Sequence, residues 1–312
     1  MGIRTEMPVL TKFNSLIEMM EAIPDEQAAI NHVRAIRWKN GAFCPHCNSE
    51  RVYHFSDGRN HKCGDCRKRF SIRVGTIFED SKLPLRKWLL AIWLVTSHKK
   101  GIASTQLAKD IGITQKSAWF VTHRLRAAAS TPSFNRQLSG TVEADESHFG
   151  GKSKNKHASK RASGTQGGKG KTAVIGVLER KGELRTEITP TLTSRDVQSV
   201  IRENVEPGSN LMTDEHRAFL GLAQDYVHRT VKHGKGEYVR DGDIHSNSIE
   251  SVWALFKRQV MGTHHYLSPK HLSRYLSEMT WRFNLRELGE GERVNALIAQ
   301  TGGRLTYKEL IA

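Results

Sequence analysis

The sequence predicts a mixed α/β protein whose sheet-bearing domain follows two small modules, and three observations predict it. Four cysteines fall as two Cys-x-x-Cys pairs within residues 41–75. Residues 84–128 carry apolar positions at helical spacing, broken once at Gly112. From about Gly140 the period changes, and short strand-like runs alternate with helical ones, the pattern of a sheet flanked by helices. At 312 residues the chain has room for one domain of ordinary size with one or two modules beside it.

Taken in order, residues 9–38 read as two short helices separated at Pro24, and residues 1–40 are assigned to this N-terminal segment. The module at 41–75 contains Cys44-Pro-His-Cys47, fifteen intervening residues, and Cys63-Gly-Asp-Cys66. Each pair can place two thiolates on one ion, and two pairs complete the tetrahedral shell of a structural Zn²⁺ with no open position for catalysis. A segment this short lacks a sufficient core, so the metal folds it. It then presents Arg51, Arg59, His61, Lys62, Arg67, Lys68 and Arg69 to a partner, or carries them as a solvated face.

Residues 76–130 are expected to form a helix-turn-helix. Leu107, Ile111 and Ile113 bury one helix and its turn, Ala118, Val121 and Leu125 supply the facing stripe of the next, and Thr114 is placed to cap it. Gln115, Lys116, His123 and Arg124 are expected on the outward face, where a major groove would receive them.

In the domain assigned to 131–290, Thr141–Phe149, Thr172–Leu178 and Leu184–Leu192 read as strands, the last two joined through Lys181-Gly182. A helix over Arg195–Asn204, a strand ending at Asp214, a strand near Tyr226–Val231 and helices over 247–260 and 269–287 follow, and 291–312 is left as a tail. Residues 150–171 hold seven basic residues, no acid and six glycines; such a loop cannot pack a core, and it either clamps a polyanion near Asp145 or is a solvated insertion. Its GTQGGKGKT stretch is not a P-loop, because Thr165 stands where Gly is needed and the segment runs into a strand instead of opening a helix.

Composition narrows the partners. Lys and Arg number 48 against 32 Asp and Glu, a formal charge of +16, which attracts nucleic acid above other partners. With 38% hydrophobic residues the chain buries a core and is not disordered overall. The longest apolar run, Trp88–Val95, is far short of the roughly 20 residues of a bilayer span, so no membrane association is expected. The first residues show no secretory signal, and Glu6 stands where a myristoylation signal needs Ser or Thr; the expected location is the cytoplasm.

The candidate chemistry rests on Asp145, Asp214 and Glu250. Asp145 interrupts a strand, where a charge is costly unless it serves a ligand such as a metal ion. Asp214 ends a later strand, and Glu250 lies on a helix whose core stripe is Ile249, Val252, Phe256 and Val260. Three converging carboxylates give hard oxygen ligands to a pair of divalent ions that act on a phosphodiester. Lys257, about two turns beyond Glu250, is placed to hold a DNA phosphate. Asn247, one turn before Glu250, is the alternative third ligand, weaker because it is neutral. Glu143 shares the strand face of Asp145 and is either an outer ligand or a strand-end charge; Glu146 and Glu215 are expected to point elsewhere as surface charges; His216 and His245 flank the site without an assigned role.

These residues lie in blocks that resemble the DDE insertion-sequence transposases with an N-terminal zinc ribbon, bacterial relatives of the eukaryotic Merlin elements. The blocks are the ribbon, FSIRVGTIFEDSKLPLRKWLLAIWL, GITQKSAWF, VEADESHFGGK, MTDEHRAF and HSNSIESVWALFKRQVMGTHHYLSPKHLSRYLSEMTWRFN, and they cover nearly the whole chain. The resemblance implies a ribonuclease-H-like mixed sheet, dependence on Mg²⁺ or Mn²⁺, and transposition of double-stranded DNA between terminal inverted repeats. It places the acidic triad on Asp145, Asp214 and Glu250, and joining two element ends to a target implies a homo-oligomer on DNA. The competing expectations are a non-catalytic zinc-ribbon and helix-turn-helix regulator, and a nuclease of the same fold.

Overall fold

The computed structural model describes residues 12–130, 136–151, 157, 170–231 and 244–311. They form two compact units, one of residues up to Thr131 together with Leu285 onward, the other Pro132–Asn284.

In the first unit, α1 (Leu16–Ala22) and α2 (Glu26–Arg37) begin at Ser15 and Asp25, whose side chains accept from the backbone N–H of Glu18 and Ala28. They flank Pro24 as expected. The cysteine module is an antiparallel three-stranded sheet of β1 (Val52–His54), β2 (Asn60–Cys63) and β3 (Arg69–Ser71). Next comes α3 (Leu85–Ser97), which is apolar on most of its circumference and buries Leu85, Trp88, Leu89, Ile92, Trp93 and Val95; such a helix lies in the middle of its unit.

The helix-turn-helix is α4 (Ser104–Asp110) and α5 (Gln115–Ala128). Its turn passes through Gly112 at φ +60°, a conformation that carries little cost only without a Cβ. Thr114 caps α5 by accepting from Ser117 N at 3.2 Å. The core positions Leu107, Ile111, Ala118, Val121 and Leu125 are buried.

The second unit is built on one sheet. Its strands are β4 (Thr141–Phe149), β5 (Thr172–Glu179), β6 (Leu184–Thr189), β7 (Asn210–Asp214) and β8 (Val227–Val231) in the order β6-β5-β4-β7-β8. β4 is central, antiparallel to β5 and parallel to β7. Three antiparallel strands followed by two parallel ones, with helical crossovers, give the ribonuclease-H-like mixed sheet that the resemblance implies.

Strand alternation separates the two faces. Val142, Ala144, Ile175, Val177 and Leu211 pack under α6 (Ser194–Asn204) through Val197, Val200 and Ile201. Phe149, Val174, Leu178 and Leu184 pack under α7 (Asn247–Gln259) and α8 (Leu272–Asn284) through Ile249, Val252, Trp253, Phe256, Leu276 and Met279. One position lets α7 come close. Gly176 pairs with Asp145, and a Cβ on it would stand 2.5 Å from the indole of Trp253.

Residues 291–312, expected as a C-terminal tail, are largely helical. They continue in α9 (Glu290–Ala299) and α10 (Tyr307–Ile311), which belong to the first unit and bury Val294, Leu297, Ile298 and Leu310.

Candidate active site

Asp145 lies on the α7 side of the central strand, in the same row as Glu143, Ser147 and Phe149. The β4–β7 ladder pairs Glu143 with Met212, so two residues further along, where β7 ends, Asp214 comes beside Asp145 on that face. Asp214 is held by the N–H of His216, which donates to its Oδ1 at 2.9 Å. Glu250 occupies the first turn of α7, and the Ser246 hydroxyl donates to its Oε1 at 3.4 Å.

Electrostatics tie the three together. Burial drives the Asp145 carboxyl up to about 7, and the charges of Glu146, Asp214 and Glu250 push it the same way. The donor set is therefore short of positive charge. Hard carboxylate oxygens on one side of a sheet edge, the most buried of them with its pKa raised by burial and by the neighbouring acids, fit a divalent cation.

Glu146 corrects an expectation. Strand alternation places it on the other face, yet its carboxylate joins those of Asp145 and Asp214 in a group with ligand oxygens all within 4.8 Å of one another. Burial, then Asp214, raise its pKa. β7 pairs with β4 only as far as Glu143 and ends at Asp214, so among the described residues no strand pairs with that side of β4 beyond this point, and a long glutamate can bend over the edge. Glu250 bears on Asp145 but is not one of that close group. Asn247 is the first residue of α7, its carbonyl accepting from Ser251 Oγ at 2.8 Å.

Basic groups border the acids. The pKa of His148 is lowered by burial and then by Lys171 and Lys257, which puts both lysines beside β4's outer end. Lys257 is exposed, as a phosphate-holding residue must be.

Glu143 is neither an outer ligand nor a strand-end charge. It is fully buried, accepts from Arg180 Nε at 2.7 Å and from Ile249 N at 2.9 Å, and lies 3.4 Å from His245 Nδ1.

In the ribbon, Cys44 Sγ and Cys66 Sγ are 3.6 Å apart, as are Cys47 Sγ and Cys63 Sγ. Four sulfurs each about 2.3 Å from one ion would stand about 3.8 Å apart, so the site fits Zn²⁺. Backbone N–H groups of His46, Asp65 and Cys66 donate to the sulfurs at 3.4 Å, which suits thiolates. Of the basic residues around it, Arg51, Arg59, Arg67, Lys68 and Arg69 are exposed. His61 is not: it is buried under Trp38, its Nδ1 2.9 Å from that of His54.

On α5, Gln115 and Lys116 are exposed, but Arg124 and His123 are not. Arg124 is 3% exposed, stacks over Phe120, and donates to the carbonyls of Ile77 and Glu79. It fastens the helix-turn-helix to the preceding loop, so the expectation that it faces a groove fails. Helical periodicity marks one buried stripe and gives no sign that a second side is covered by residues 77–79.

Comparison with known proteins bears on these same segments. Residues 137–284 match the ISXO2-like transposase domain, and residues 24–69 match the transposase zinc-ribbon domain. The chain is 30% identical over 265 residues to an uncharacterized protein in transposable element ISH50 of Halobacterium salinarum, covering 80% of this chain and 88% of that protein. It is 28% identical over 109 residues to an uncharacterized transposase-like protein of Haemophilus influenzae, covering 35% of this chain and 86% of the other. Among solved structures, a pre-cleavage Mos1 transpososome aligns with 73% of this chain and 82% of its own at 13% identity and a TM-score of 0.24. A simian T-cell lymphotropic virus intasome aligns with 56% and 63% at 13% identity and a TM-score of 0.28. At such scores the structural likenesses carry no argument, and the fold rests on the sheet order itself.

Proposed function

We propose, for a chain that belongs to the IS1595 family of DDE transposases with an N-terminal zinc ribbon, that Asp145, Asp214 and Glu250 carry metal-dependent cleavage at element ends and strand transfer into target DNA. The observation that carries this reading is the meeting of Asp145 and Asp214 on one face, with α7 bringing the charge of Glu250 to bear on them. Glu250 is preferred to Asn247 because its carboxylate already acts on Asp145 and an amide is neutral. Glu146 joins Asp145 and Asp214 as an additional oxygen donor.

Two divalent cations, when bound, supply Lewis acidity at the attacking and leaving oxygens of an in-line displacement. Asp145, Asp214 and Glu250 would hold them, and the Asp145 carboxyl, raised to about 7 by burial and by its acidic neighbours, would release any proton it carries to solvent on binding. Lys257 and Lys171 hold DNA phosphates next to the acids. Hydrolysis at an element end frees a 3′-hydroxyl, which attacks a target phosphodiester; one phosphodiester replaces another, so no ATP is consumed. The ribbon, folded by Zn²⁺, and the helix-turn-helix with Gln115 and Lys116 outward recognise double-stranded element ends. Joining two ends requires at least a dimer on DNA. No helix among the described residues is long and apolar enough to cross a membrane.

The test is purified protein with Mg²⁺ and labelled element ends. Wild type nicks and then joins strands, whereas Asp145→Asn binds ends with unchanged affinity and does neither. Binding without cleavage by wild type would favour a regulator, cleavage without joining a nuclease, and cleavage retained by Asp145→Asn would place the chemistry elsewhere.

A further inference from the structure

We propose that Glu143 is a positioning residue: with Arg180 it forms a buried clamp that caps α7 from the central strand and so sets Glu250 opposite Asp145. The inference rests on the transposase reading of that site.

Among the described residues, the first turn of α7 takes no side-chain cap from its own segment. Ser246 is in the N-cap position, but its side chain caps no N–H of the helix, and its hydroxyl donates to Glu250 Oε1. The cap comes from β4. Glu143 Oε2 accepts the N–H of Ile249, the third residue of the helix, at 2.9 Å. A carboxylate at a helix N-terminus is also favoured by the helix dipole.

The other oxygen is occupied as well. Arg180 Nε donates to Glu143 Oε1 at 2.7 Å, while Arg180 Nη2 donates to the carbonyl of His245 at 2.9 Å. One guanidinium thus grips the strand carboxylate and the chain entering α7. Arg180 is fixed in turn, since its N–H donates to the carbonyl of Thr141 at 2.9 Å on the same strand.

The consequence is geometric. Glu143 precedes Asp145 by two residues on one face, and Ile249 precedes Glu250 by one. The clamp therefore ties together the backbones that carry two of the three proposed ligands. It also leaves Ser246 able to bond Glu250, and it keeps Glu143 from competing for cations, since both its oxygens are engaged by donors. Removing such a support typically lowers metal affinity or activity by about 10–100-fold.

Mn²⁺ binding to the full chain without DNA, followed by the electron spin resonance of free Mn²⁺, tests this. Glu143→Gln keeps the shape but turns an amide donor or a neutral oxygen toward Arg180. Arg180→Lys keeps the charge but cannot reach both Glu143 and His245. Both are expected to weaken Mn²⁺ binding at the carboxylates by about 10–100-fold while zinc content and affinity for DNA ends stay at wild-type values. Wild-type Mn²⁺ affinity in a folded Glu143→Gln protein would overturn the proposal. Should that variant not fold, wild-type affinity in Arg180→Lys would overturn it equally. Complete loss in Glu143→Gln with no effect in Arg180→Lys would make Glu143 itself a ligand, also against the proposal. Asp145→Asn is the control: if it binds Mn²⁺ like wild type, the site itself is misread, whereas if it abolishes binding and Glu143→Gln does not weaken it, only the clamp fails.

Discussion

Replacing Gly176 by alanine tests whether the close seat of α7 on the sheet sets the spacing of the carboxylates. Gly176 pairs with Asp145 in the β4–β5 ladder. A Cβ there would lie 2.5 Å from Cζ2 and 2.9 Å from Cη2 of Trp253, and 3.0 Å from Cδ1 of Ile249. Carbon atoms settle about 3.5–4.0 Å apart, so the indole must withdraw by roughly 1 Å. Gly176 is not among the glycines of positive φ, so the backbone accepts alanine and the cost is steric. Overpacking of this kind costs about 1–3 kcal/mol. Trp253 stands one helical turn from Glu250, so the displacement is passed to the carboxylate, and a misplacement of about 1 Å at a reacting centre costs about 100-fold in rate. Urea denaturation and the rate of strand joining at saturating Mn²⁺ measure the two effects. The double variant with Trp253→Phe should recover part of both losses relative to Gly176→Ala, because the smaller ring makes room for the methyl. A Gly176→Ala protein with wild-type stability and joining rate, or a loss that the second substitution leaves untouched, would refute the reasoning.

Cys44→Ser removes one of four thiolates from a closed shell and should abolish stoichiometric zinc, measured by atomic absorption, with a loss of end binding; full zinc content would contradict the assignment. Asp145 has its pKa raised from 3.8 to about 7, so in metal-free protein the folded state retains a proton that the unfolded chain releases. Stability is then expected to fall as pH rises from about 4 through about 7 and to be restored by Mg²⁺, which thermal melts at about pH 5 and about pH 8 would check. Arg124→Ala should destabilise the first unit by about 1.5–3 kcal/mol through loss of a buried charged donor, read from thermal melts. Lys116→Ala should leave the melt unchanged, weaken end binding and lower its salt dependence by about one unit of slope, read from affinity against salt concentration.

Much of the site's framework was legible because local chemistry dictates it. The two Cys-x-x-Cys pairs define a tetrahedral shell whatever surrounds them, and Thr114 was readable as a cap because its hydroxyl acts within a single turn. Asp145 stood out as a charge within a strand, and Asp214 as the end of another. Arg124 and His61 misled for a common reason: each is polar and sits at a position that periodicity or composition marks as outward. Each is covered by a segment distant from its own stripe, the carbonyls of Ile77 and Glu79 in one case and Trp38 in the other.

The sequence by itself determined the elements of the sheet domain and the helix-turn-helix in order, the zinc shell and the positions of the acids on their strands and helix, since propensity, capping and ligand spacing act over a few neighbouring residues; it missed the two helices after residue 289. Only the tertiary structure decided what those acids do. Glu143, Asp145 and Glu146 are nearly consecutive carboxylates, yet Arg180 and the start of α7 claim the first, while the end of β7 lets the third bend toward Asp214. Whether a carboxylate is neutralised by a cationic neighbour or left facing other acids depends on strands and helices far away in the chain, and local pattern carries no record of that.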